Sequence, residues 1–554
     1  MIQKLITFEG GLSTKIDSHL IGRNEGVICE NVNLESGTLK PLNSFFQEDT
    51  IDGKYVHNYN GTFVSNSSAS DERFYAEYGG RLYWTNGSYG TYGLMRYDGT
   101  NAGVDAEAPT PLSNTELGYI SINEAASTAG FLTVGASYIY AFTIIDNDGI
   151  ESSPLFKTGV DITADKSSMK LMISHTHMTA IQTAHPDMAG INIYRTGGDN
   201  PTFNLVASSL TPLSDGVTDD GTNYIWYDVS ADIDVSRIEL TTFNNNPPPK
   251  ELDMLIENMG TFWGAVDNKV YFSRTGAPEF WGALDYIVLD EPCTGLGKFS
   301  DIIIAFTRTS AYRIDGYNKD NISRIKLPFN QGCVNKNTIT NIDAYLVWAS
   351  MNGICIYDGS SVQVVSKRQI AWDEFARLGD LTYNDFGEAK WNAGLGYEIQ
   401  YSVGFQDKYF GVFNNGVFVL DLSNGTRFST IYLENVESLM FSKFDNMLYF
   451  IQNNGTNYNL LAYEGVNDNL SATWKTGRLT DGEGTIQIKH YRDVYVEGNP
   501  LSVSIYIDGI LRYSVANKNK FKLPQGMFGK DIQFEIVTDT EIGSLKYEYS
   551  ILKA

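Results

Sequence analysis

The sequence is short of positive charge. Its 554 residues carry 41 Lys and Arg against 66 Asp and Glu, a formal net charge of -25. A protein that grips a nucleic-acid duplex relies on Lys and Arg to displace counterions from the phosphates, so this balance argues against nucleic-acid binding. DNA could pass such a surface without adhering to it.

Cysteines and long apolar runs are also scarce. The four cysteines (Cys29, Cys293, Cys333 and Cys355) form no CxxC pair and no dense framework, which fits a reducing compartment and predicts buried or inert thiols. No stretch approaches the ~20 apolar residues of a membrane span, and the start, MIQKLITFEGGLSTKID, has no signal-peptide core. We expect a soluble protein made in the cytoplasm, without membrane insertion.

Catalytic and metal-binding motifs are missing as well. There is no nucleophile elbow and no Gly-rich phosphate loop ending in Gly-Lys-Ser/Thr. Only His175 and His177 are close among the six histidines, and on a strand they would share one face, as a two-ligand metal site requires. The nearest further ligand types are His185 and Asp187. A solvated strand face is the favoured interpretation, and no metal or cofactor is predicted.

Paired carboxylates beside tryptophan are the strongest enzyme candidates, because two carboxylates flanking a sugar can hydrolyse a glycosidic bond. The candidates are Asp285 and Glu291 near Trp281, and Asp373 and Glu374 beside Trp372. With 66 acidic residues, such pairs arise by chance. We therefore expect both tryptophans to be core residues, and we predict no catalytic residues and no enzyme.

What the chain does contain is aromatic strand formers and turn residues: 34 Tyr, 29 Phe and 52 Gly. This balance favours an all-β fold of short strands. Turn signals recur between strand-forming runs about six times from residue 50 to 470, at Gly79-Gly80, Asp267-Asn268, Asp315-Gly316, Asn352-Gly353, Asn414-Asn415-Gly416 and Asp445-Asn446. They predict a β-propeller of about six blades. No strict repeat or fixed propeller motif accompanies them, so a large β-sandwich or solenoid stays open.

One segment interrupts these units. Residues 101–235 carry 4 Lys and Arg against 17 Asp and Glu, which is about half of the acidic excess. Two hairpins, turning at Asp148-Gly149 and Gly197-Gly198, predict an inserted fibronectin type III or immunoglobulin-like sandwich. A later strand, YIWYD, would close it. Residues expected in or beside its core are Tyr138, Tyr140, Ile191, Ile193 and Tyr194.

The remaining boundaries follow from linkers and alternation. Asn244 to Pro249 reads as a stiff linker back to the propeller. In the last segment Val503, Ile505 and Ile507 alternate with polar positions before the Asp508-Gly509 turn, which predicts a C-terminal β-sandwich. A short helix is predicted at AWDEFARLG, with Trp372, Phe375 and Leu378 on one face and Gly379 as cap. The predicted domains are an N-terminal arm or closing strand (1–45), the first part of the propeller (46–100), the insert (101–235), the rest of the propeller (236–470) and the terminal sandwich (471–554).

Three stretches of the chain carry a family resemblance. The first is Phe8-Glu9-Gly10-Gly11-Leu12, followed by Asn31-Val32-Asn33-Leu34, Gly37, Leu39 and Lys40-Pro41. The second is GCVNKNTITNIDAYLVWASMNGICIYDGSSVQVVSKRQIAW. The third is the terminal sandwich, with Trp474-Lys475-Thr476-Gly477 at its entry and Leu523-Pro524 near its middle. As a set they resemble tail nozzle and tail tubular proteins of short-tailed bacteriophages.

This resemblance implies a structural virion protein. Such a subunit would assemble with copies of itself into a ring, usually a hexamer, contact other tail or adaptor proteins, and form a conduit for genome retention and ejection. Genomic DNA would pass through the lumen without specific binding. We expect the N-terminal 45 residues to contact a neighbouring subunit, so that their deletion would abolish rings and leave the β-content intact. The alternative is a tail-associated receptor- or glycan-binding protein.

Overall fold

The structure is a computed structural model. It describes residues 2–13, 20–34, 37–66, 72–85, 93–97, 99, 108–126, 130–164, 167–317, 319–366, 399–413, 416–423, 425–466, 468–480 and 487–552, and the backbone alone of 102–105, 381–383 and 389–391. Strand accounts for 56% of the structure and helix for 4%. This confirms the all-β class.

The first 65 residues supply eight strands. The fourth and fifth pair only with each other, and so do the seventh and eighth, which form a hairpin; the others pair with one another or with later parts of the chain. The eight are β1 (Ile2–Ile6), β2 (Gly11–Leu12), β3 (Glu25–Glu30), β4 (Val32–Asn33), β5 (Lys40–Pro41), β6 (Phe46–Ile51), β7 (Val56–Tyr59) and β8 (Thr62–Ser65).

A four-stranded antiparallel meander, meander I, follows this hairpin. Its strands are β9 (Tyr75–Tyr78), β10 (Arg81–Thr85), β11 (Leu94–Tyr97) and β12 (Ala102–Asp105). Gly79 and Gly80 connect the first two strands with φ angles of 59° and 73°, as a tight two-residue hairpin turn requires. The inserted domain begins only after β12, because this strand pairs with β11.

The insert consists of two four-stranded antiparallel sheets, ordered β13-β16-β20-β19 and β15-β14-β17-β18. Tyr138, Tyr140, Ile191 and Ile193 are buried in the core between them, and Tyr194 is buried beside Leu240 on the opposite face. The elements are α1 (Asn114–Tyr119), β13 (Ser121–Ala126), β14 (Ser137–Asp146), β15 (Leu155–Asp161), β16 (Ser167–Ser174), α2 (His175–Ala184), β17 (Met188–Gly197), β18 (Asn200–Leu210), β19 (Thr218–Asp219) and β20 (Asn223–Asp228).

Both helices of the insert differ from the sequence prediction, which had strand and loop there. α1 begins at a capping box in which Ser113 and Glu116 bond each other's backbone. α2 begins at Ser174, whose side chain accepts a hydrogen bond from the His177 backbone N–H. The placement of His175 and His177 on one strand was therefore wrong. The helix predicted at residues 371–379, with Trp372, Phe375, Leu378 and Gly379, lies outside the described residues.

Five further meanders, II to VI, follow the insert. Meander VI has three strands of its own and is completed by β6 from the N-terminal segment. A separate strand pair, β33 and β34, precedes meander V. The strands are β21 (Asp253–Asn258), β22 (Thr261–Val266), β23 (Lys269–Arg274) and β24 (Ala277–Val288) in II; β25 (Gly295–Phe299), β26 (Ile302–Phe306), β27 (Ala311–Asp315) and β28 (Ser323–Lys326) in III; β29 (Thr340–Ile342), β30 (Tyr345–Ser350), β31 (Gly353–Tyr357) and β32 (Val362–Val364) in IV; β33 (Leu381–Tyr383) and β34 (Ala389–Trp391); β35 (Tyr401–Phe405), β36 (Lys408–Phe413), β37 (Gly416–Asp421) and β38 (Arg427–Ile431) in V; and β39 (Val436–Ser442), β40 (Met447–Asn453) and β41 (Tyr458–Ala462) in VI.

The first strands of these units contact one another in a cyclic order: β9, β21, β25, β29, β35, β39 and then β7. The cycle returns to β9 through His57, which stacks on Tyr75 and lies 2.6 Å from a carboxylate oxygen of Glu77. Such an order suggests a β-propeller, with the N-terminal strand β6 completing its last sheet. Five of the six predicted turns fall between two paired strands of one meander; Asn414 and Asn415 of the sixth lie outside the described residues. The hairpin β7–β8, which turns at Asn60-Gly61, is a seventh unit that the turn count missed.

The terminal sandwich packs two sheets around one core. Val503, Ile505 and Ile507 point into that core, and Asp508 and Gly509 turn the hairpin with φ angles of 53° and 78°. The strands are β42 (Ala472–Thr476), β43 (Lys489–Val496), β44 (Ser502–Ile507), β45 (Ile510–Ala516), β46 (Lys520–Lys522), β47 (Phe528–Gly529), β48 (Ile532–Thr538) and β49 (Leu545–Ile551).

The N-terminal segment joins this sandwich to meander V. β1 pairs with β49, and β3 lies between β38 and β42, so one ten-stranded sheet runs from meander V into the sandwich. Phe8 is fully buried, with its ring centroid 5.4 Å from that of Trp474. The segment is thus part of its own chain's core. The expectation that its deletion would leave the β-content intact conflicts with this packing.

Asn31 is the polar centre of this joint. Its φ angle is 55°, its side-chain amide donates to the Ser471 carbonyl at 3.0 Å, and its side-chain oxygen accepts from the Tyr432 backbone N–H at 3.0 Å. One residue thus bonds the entry of β42 and the end of β38. Asparagine tolerates this left-handed backbone better than most residues do.

Replacing Asn31 with alanine is expected to reduce the free energy of unfolding by about 2–3 kcal/mol, from two lost hydrogen bonds and the strained backbone. The matched control is Asn60→Ala at the β7–β8 turn, where φ is 51° and the side chain is exposed. This control should lower the free energy of unfolding by about 1 kcal/mol, the contribution of the strained left-handed backbone alone. Urea unfolding measures both, and equal losses would mean that the Asn31 side-chain bonds contribute nothing.

Candidate functional site

The two close histidines do not form a site. The His175 Nε2 atom lies 2.8 Å from the Asp219 carboxylate, whereas His177 stacks on Tyr119 with ring centroids 4.0 Å apart. They have different neighbours on the first turn of α2. Within the described residues no group of three or more His, Cys, Asp or Glu side chains could hold a metal ion.

The carboxylates near Trp281 are separated by the fold. Trp281 is buried, as predicted, and its indole N–H donates to the Pro278 carbonyl at 2.8 Å. Asp285 lines a cavity of about 290 Å³ together with Arg274, Tyr317 and other residues. Glu291 does not line it and instead accepts hydrogen bonds from Thr309 at 3.0 and 3.1 Å. Trp372, Asp373 and Glu374 lie outside the described residues.

The cysteines are unpaired, and burial suppresses their reactivity. Cys29, Cys333 and Cys355 are buried, and Cys293 is partly buried. Burial raises the pKa of Cys333 and of Cys355 to about 12. Because the thiolate is the reactive form, these thiols are inert near neutral pH, as the sequence predicts.

An ion network crosses the inside of the ring of first strands. Lys336, in a 3₁₀ turn before β29, places its ammonium 2.5 Å from Glu72 and 2.5 Å from Asp253. Asn337 donates to Glu72 at 2.6 Å. Glu72 precedes β9 and Asp253 begins β21, so the network joins meanders IV, I and II, of which II and IV are not neighbours. It therefore lies across the ring of first strands, at the end where those strands begin.

Lys336→Met is expected to reduce the free energy of unfolding by about 1–2 kcal/mol, because two carboxylates lose a partly buried cation. Burial by itself lowers the pKa of Lys336, but Asp253 and Glu72 outweigh it and raise that pKa. The contribution of the lysine is thus complete below about pH 10.4, the ordinary lysine value, and is lost as the pH rises through the higher folded value.

Denaturant unfolding at pH 7 and at pH 11.5 checks this expectation. The exposed Lys326, which pairs with Asp290 at 3.3 Å, supplies the control Lys326→Met, whose effect on stability should be much smaller because solvent screens an exposed ion pair. A Lys336→Met deficit that stays unchanged at pH 11.5 would contradict the ionic origin.

The insert is held firmly against the meanders. The Ser153 backbone N–H donates to the Asn245 carbonyl at 2.7 Å, and the Trp281 N–H donates to the Asn246 carbonyl at 2.8 Å. Arg96 of β11 forms an ion pair with Asp148 of the insert. The predicted linker is thus a hydrogen-bonded seam, and it presents the insert in a fixed orientation.

The insert uses two of its four basic residues inside the fold. Of its four Lys and Arg residues, Arg195 is fully buried between Asp228 and Asp232. Lys157 donates to the carbonyls of Leu117 and Ile120 at the end of α1. The segment as a whole has 17 Asp and Glu against 4 Lys and Arg, so it is net acidic.

No helix in the described part of the chain is long and apolar enough to span a membrane. No protein-family model matches the chain, and no curated protein matches it. Similar solved structures include AztD from Citrobacter koseri, at 11% identity over 73% of this chain and 98% of that one, with a TM-score of 0.27.

Of two further similar structures, one is named a propeller and the other a WD40 domain. The Dos1 propeller covers 76% of this chain and 94% of its own at 12% identity, with a TM-score of 0.26. The Pan2 WD40 domain of Neurospora crassa covers 53% and 85% at 11% identity, with a TM-score of 0.25. None of the three is named as a virion protein, and likenesses this low carry no function.

Proposed function

We propose that this protein is a structural subunit of a bacteriophage tail, a nozzle or tube protein that assembles with copies of itself into a ring. The ring would be a hexamer that joins other tail or adaptor proteins and serves as a conduit for genome retention and ejection. The protein would reside in the virion, and its carboxylates would contact no nucleic acid specifically.

The observation that carries this proposal is that all three stretches resembling tail nozzle proteins contribute to one hydrophobic core. Phe8, Val32 and Leu39 of the first stretch, Val347 and Ile354 of the second and Trp474 of the third belong to the same buried cluster. Leu523, also of the third stretch, packs against it. Residues more than 400 positions apart thus form one structural unit, so the resemblance follows the architecture of the chain and not three unrelated loops.

The electrostatics fit a conduit formed between subunits. The network of Lys336, Glu72 and Asp253 crosses the inside of the ring of first strands, so DNA would have to pass between copies and not through one of them. Acidic walls repel the phosphate backbone and let a duplex slide without ionic trapping. The acidic insert, fixed by its seam, is the segment that would supply such a wall.

Electron microscopy of the purified protein and of its parent particle tests the proposal. The expected result is a six-fold ring with an axial channel wide enough for a DNA duplex, present in the particle as a tail component. A trimeric spike, or a chain that stays monomeric and is missing from purified particles, would overturn it.

The cavity lined by Asp285 favours a second candidate, receptor or glycan binding. It combines the carboxylate with Arg274 and with the aromatic rings of Phe280 and Tyr317, a mixture of polar and aromatic groups typical of binding sites for polar ligands. Binding of host-surface polysaccharide that Asp285→Ala abolishes would favour this function. No binding at millimolar glycan would remove it.

A further inference from the structure

The last strand of meander II, β24, leaves the regular ladder twice. Two register shifts interrupt its pairing with β23: residues 282–285 lie opposite a single residue of β23, and residues 278–280 lie opposite none. Both stretches are β-bulges, and a bulge turns side chains away from the alternation of a regular strand. Phe280 belongs to one bulge and Asp285 to the other, and both line the same cavity of about 290 Å³. The bulges thus bring an aromatic ring and a carboxylate to one concave surface.

Contacts with neighbouring segments hold this cavity in shape. The Thr275 hydroxyl donates to the Tyr317 carbonyl at 2.8 Å, which ties the β23–β24 hairpin to the turn after β27, and Tyr317 lines the cavity from that side. Gly282 leaves room for the carboxylate, because a Cβ atom there would collide with the Asp285 side chain. The cavity is therefore formed before a ligand arrives, which limits the conformational entropy that binding would cost.

Two opposite charges line this cavity without neutralising each other. The Arg274 guanidinium lies over the Phe280 ring at 5.1 Å, and within the described residues it forms no ion pair and no side-chain hydrogen bond. The same holds for the Asp285 carboxylate. In meander III, by comparison, Arg313 pairs with Asp315 at 2.7 Å. Arg274 and Asp285 are thus a separated cation and anion, both available to a ligand.

The charges restrict the class of ligand. Lys319 and Asp320 also line the cavity, one of each sign, so its four charged groups sum to zero. An anionic ligand would meet the Asp285 carboxylate and the long-range repulsion of a chain of net charge -25. A cationic ligand would leave Arg274 without a partner. A ligand with one group of each sign pairs with both residues and carries no net charge for the chain to repel.

We propose that this cavity binds a zwitterionic head group, with a carboxylate or phosphate on Arg274 and an ammonium on Asp285. The planar guanidinium bonds such oxyanions through two parallel N–H donors. Tyr317 is 37% exposed and offers its ring to the ammonium. The volume lies at the lower end for ligand pockets, which suits a head group and not a long chain. This inference rests on the receptor-binding candidate, for which it names the ligand class, and is independent of the conduit.

Calorimetric titration of the full chain with two probes tests the ligand class. Glycerophosphoethanolamine carries an ammonium with a phosphodiester, and β-alanine carries an ammonium with a carboxylate, so their comparison shows which oxyanion the site prefers. Dimethyl phosphate, propionate and ethanolamine each carry only one of the two charges. At least one zwitterion is expected to bind. The single-charge analogues should bind at least about tenfold more weakly, because each loses a charge-assisted hydrogen bond.

Removing either charge from the protein tests the location of the site. Arg274→Gln and Asp285→Asn should each weaken binding of the zwitterion by at least about tenfold. The matched controls Arg308→Gln and Asp215→Asn remove the same charges at exposed positions outside the cavity, and they should bind the zwitterion as the wild type does. Asp285→Asn changes the charge with almost no change in shape, and circular dichroism of each variant checks the fold independently.

The outcomes separate this inference from the function on which it rests. A single-charge analogue that binds as tightly as the zwitterion, or a cavity variant that binds as the wild type does, would overturn the zwitterion site. If no zwitterion binds at millimolar concentration but a host polysaccharide does, and Asp285→Ala abolishes that binding, the inference falls and the receptor-binding candidate stands. If neither binds, both fall and the conduit is unaffected.

Discussion

Replacing Arg195 with methionine is expected to destabilise the insert by about 3–5 kcal/mol, the largest effect of any single substitution proposed for this domain. Its guanidinium is fully buried, bonded to Asp228 at 2.7 Å and to Asp232 at 3.0 Å, and it lies over the Tyr138 ring at 4.9 Å. The Asp228 side chain is also inaccessible to solvent. Removal of the cation leaves this carboxylate buried without its counter-charge.

The surrounding hydrogen bonds increase the cost. The Tyr140 hydroxyl donates to Asp228 at 2.8 Å, and burial and this carboxylate together raise the pKa of Tyr140 well above its ordinary range. The tyrosine thus stays a neutral donor at any physiological pH. A neutral hydroxyl cannot balance a buried charge in the place of a guanidinium.

Hydrogen exchange of the β14 and β17 amides is the appropriate measurement, because it reports the local stability of the insert itself. Arg313→Met is the control, because the Arg313–Asp315 pair, at 2.7 Å, is partly exposed. Its removal should lower the free energy of unfolding by less than about 1 kcal/mol. The double variant R195M/D228N should lose less stability than the sum of the losses in the two single variants. Additive losses would show that the two residues act independently.

Local signals explain what the sequence could predict. The hairpin turns of the meanders and of the terminal sandwich could be predicted because residues such as Gly79, Gly80 and Asp508, which adopt positive φ angles, specify such turns by themselves. The core positions Tyr138 and Tyr140 were found because strand side chains alternate between faces. Asn60-Gly61 is the same kind of signal, and the hairpin there was missed although the sequence displays it.

Pairing between distant segments could not be predicted. The EGVICE stretch has the pattern of a strand, but the pattern does not indicate that β38 and β42 lie beside it. The hydrogen bond between Asn31 and Tyr432 likewise joins residues 401 positions apart. The same limit applies to Arg195, whose partners lie 33 and 37 residues away. Alternation specifies which face of a strand is buried but not which strand lies beside it.

The two short helices of the insert were not predicted, for a different reason. α1 has six residues and α2 has ten, too few for an apolar stripe to stand out against the strand patterns around them. Their caps were the available signals: Ser113 with Glu116, and Ser174. Pairing carboxylates by their proximity in sequence also failed to identify a cavity. The cavity that Asp285 lines is formed by residues spread between positions 244 and 320.

Deletion of residues 1–45 is expected to remove the folded state of meander V and the terminal sandwich. The deletion takes β3 from the middle of the ten-stranded sheet, β1 from β49 and the Phe8 ring from Trp474. Losing Phe8 alone is worth about 3–5 kcal/mol. Together with the other buried side chains of this segment, the loss exceeds the roughly 5–15 kcal/mol that stabilises a typical domain. Circular dichroism and hydrogen exchange should show loss of β-structure in residues 401–552.

The single substitution Phe8→Ala distinguishes this core role from an arm that reaches a neighbouring subunit. A core role predicts a stability loss of about 3–5 kcal/mol that does not depend on protein concentration, whereas an intersubunit role predicts a loss that disappears on dilution to monomers. Leu20→Ala is the control, since Leu20 is 71% exposed and should change stability by less than about 0.5 kcal/mol. A stable, soluble 46–554 chain with native β-content would show that the N-terminal strands are dispensable, and it would restore the arm as the explanation.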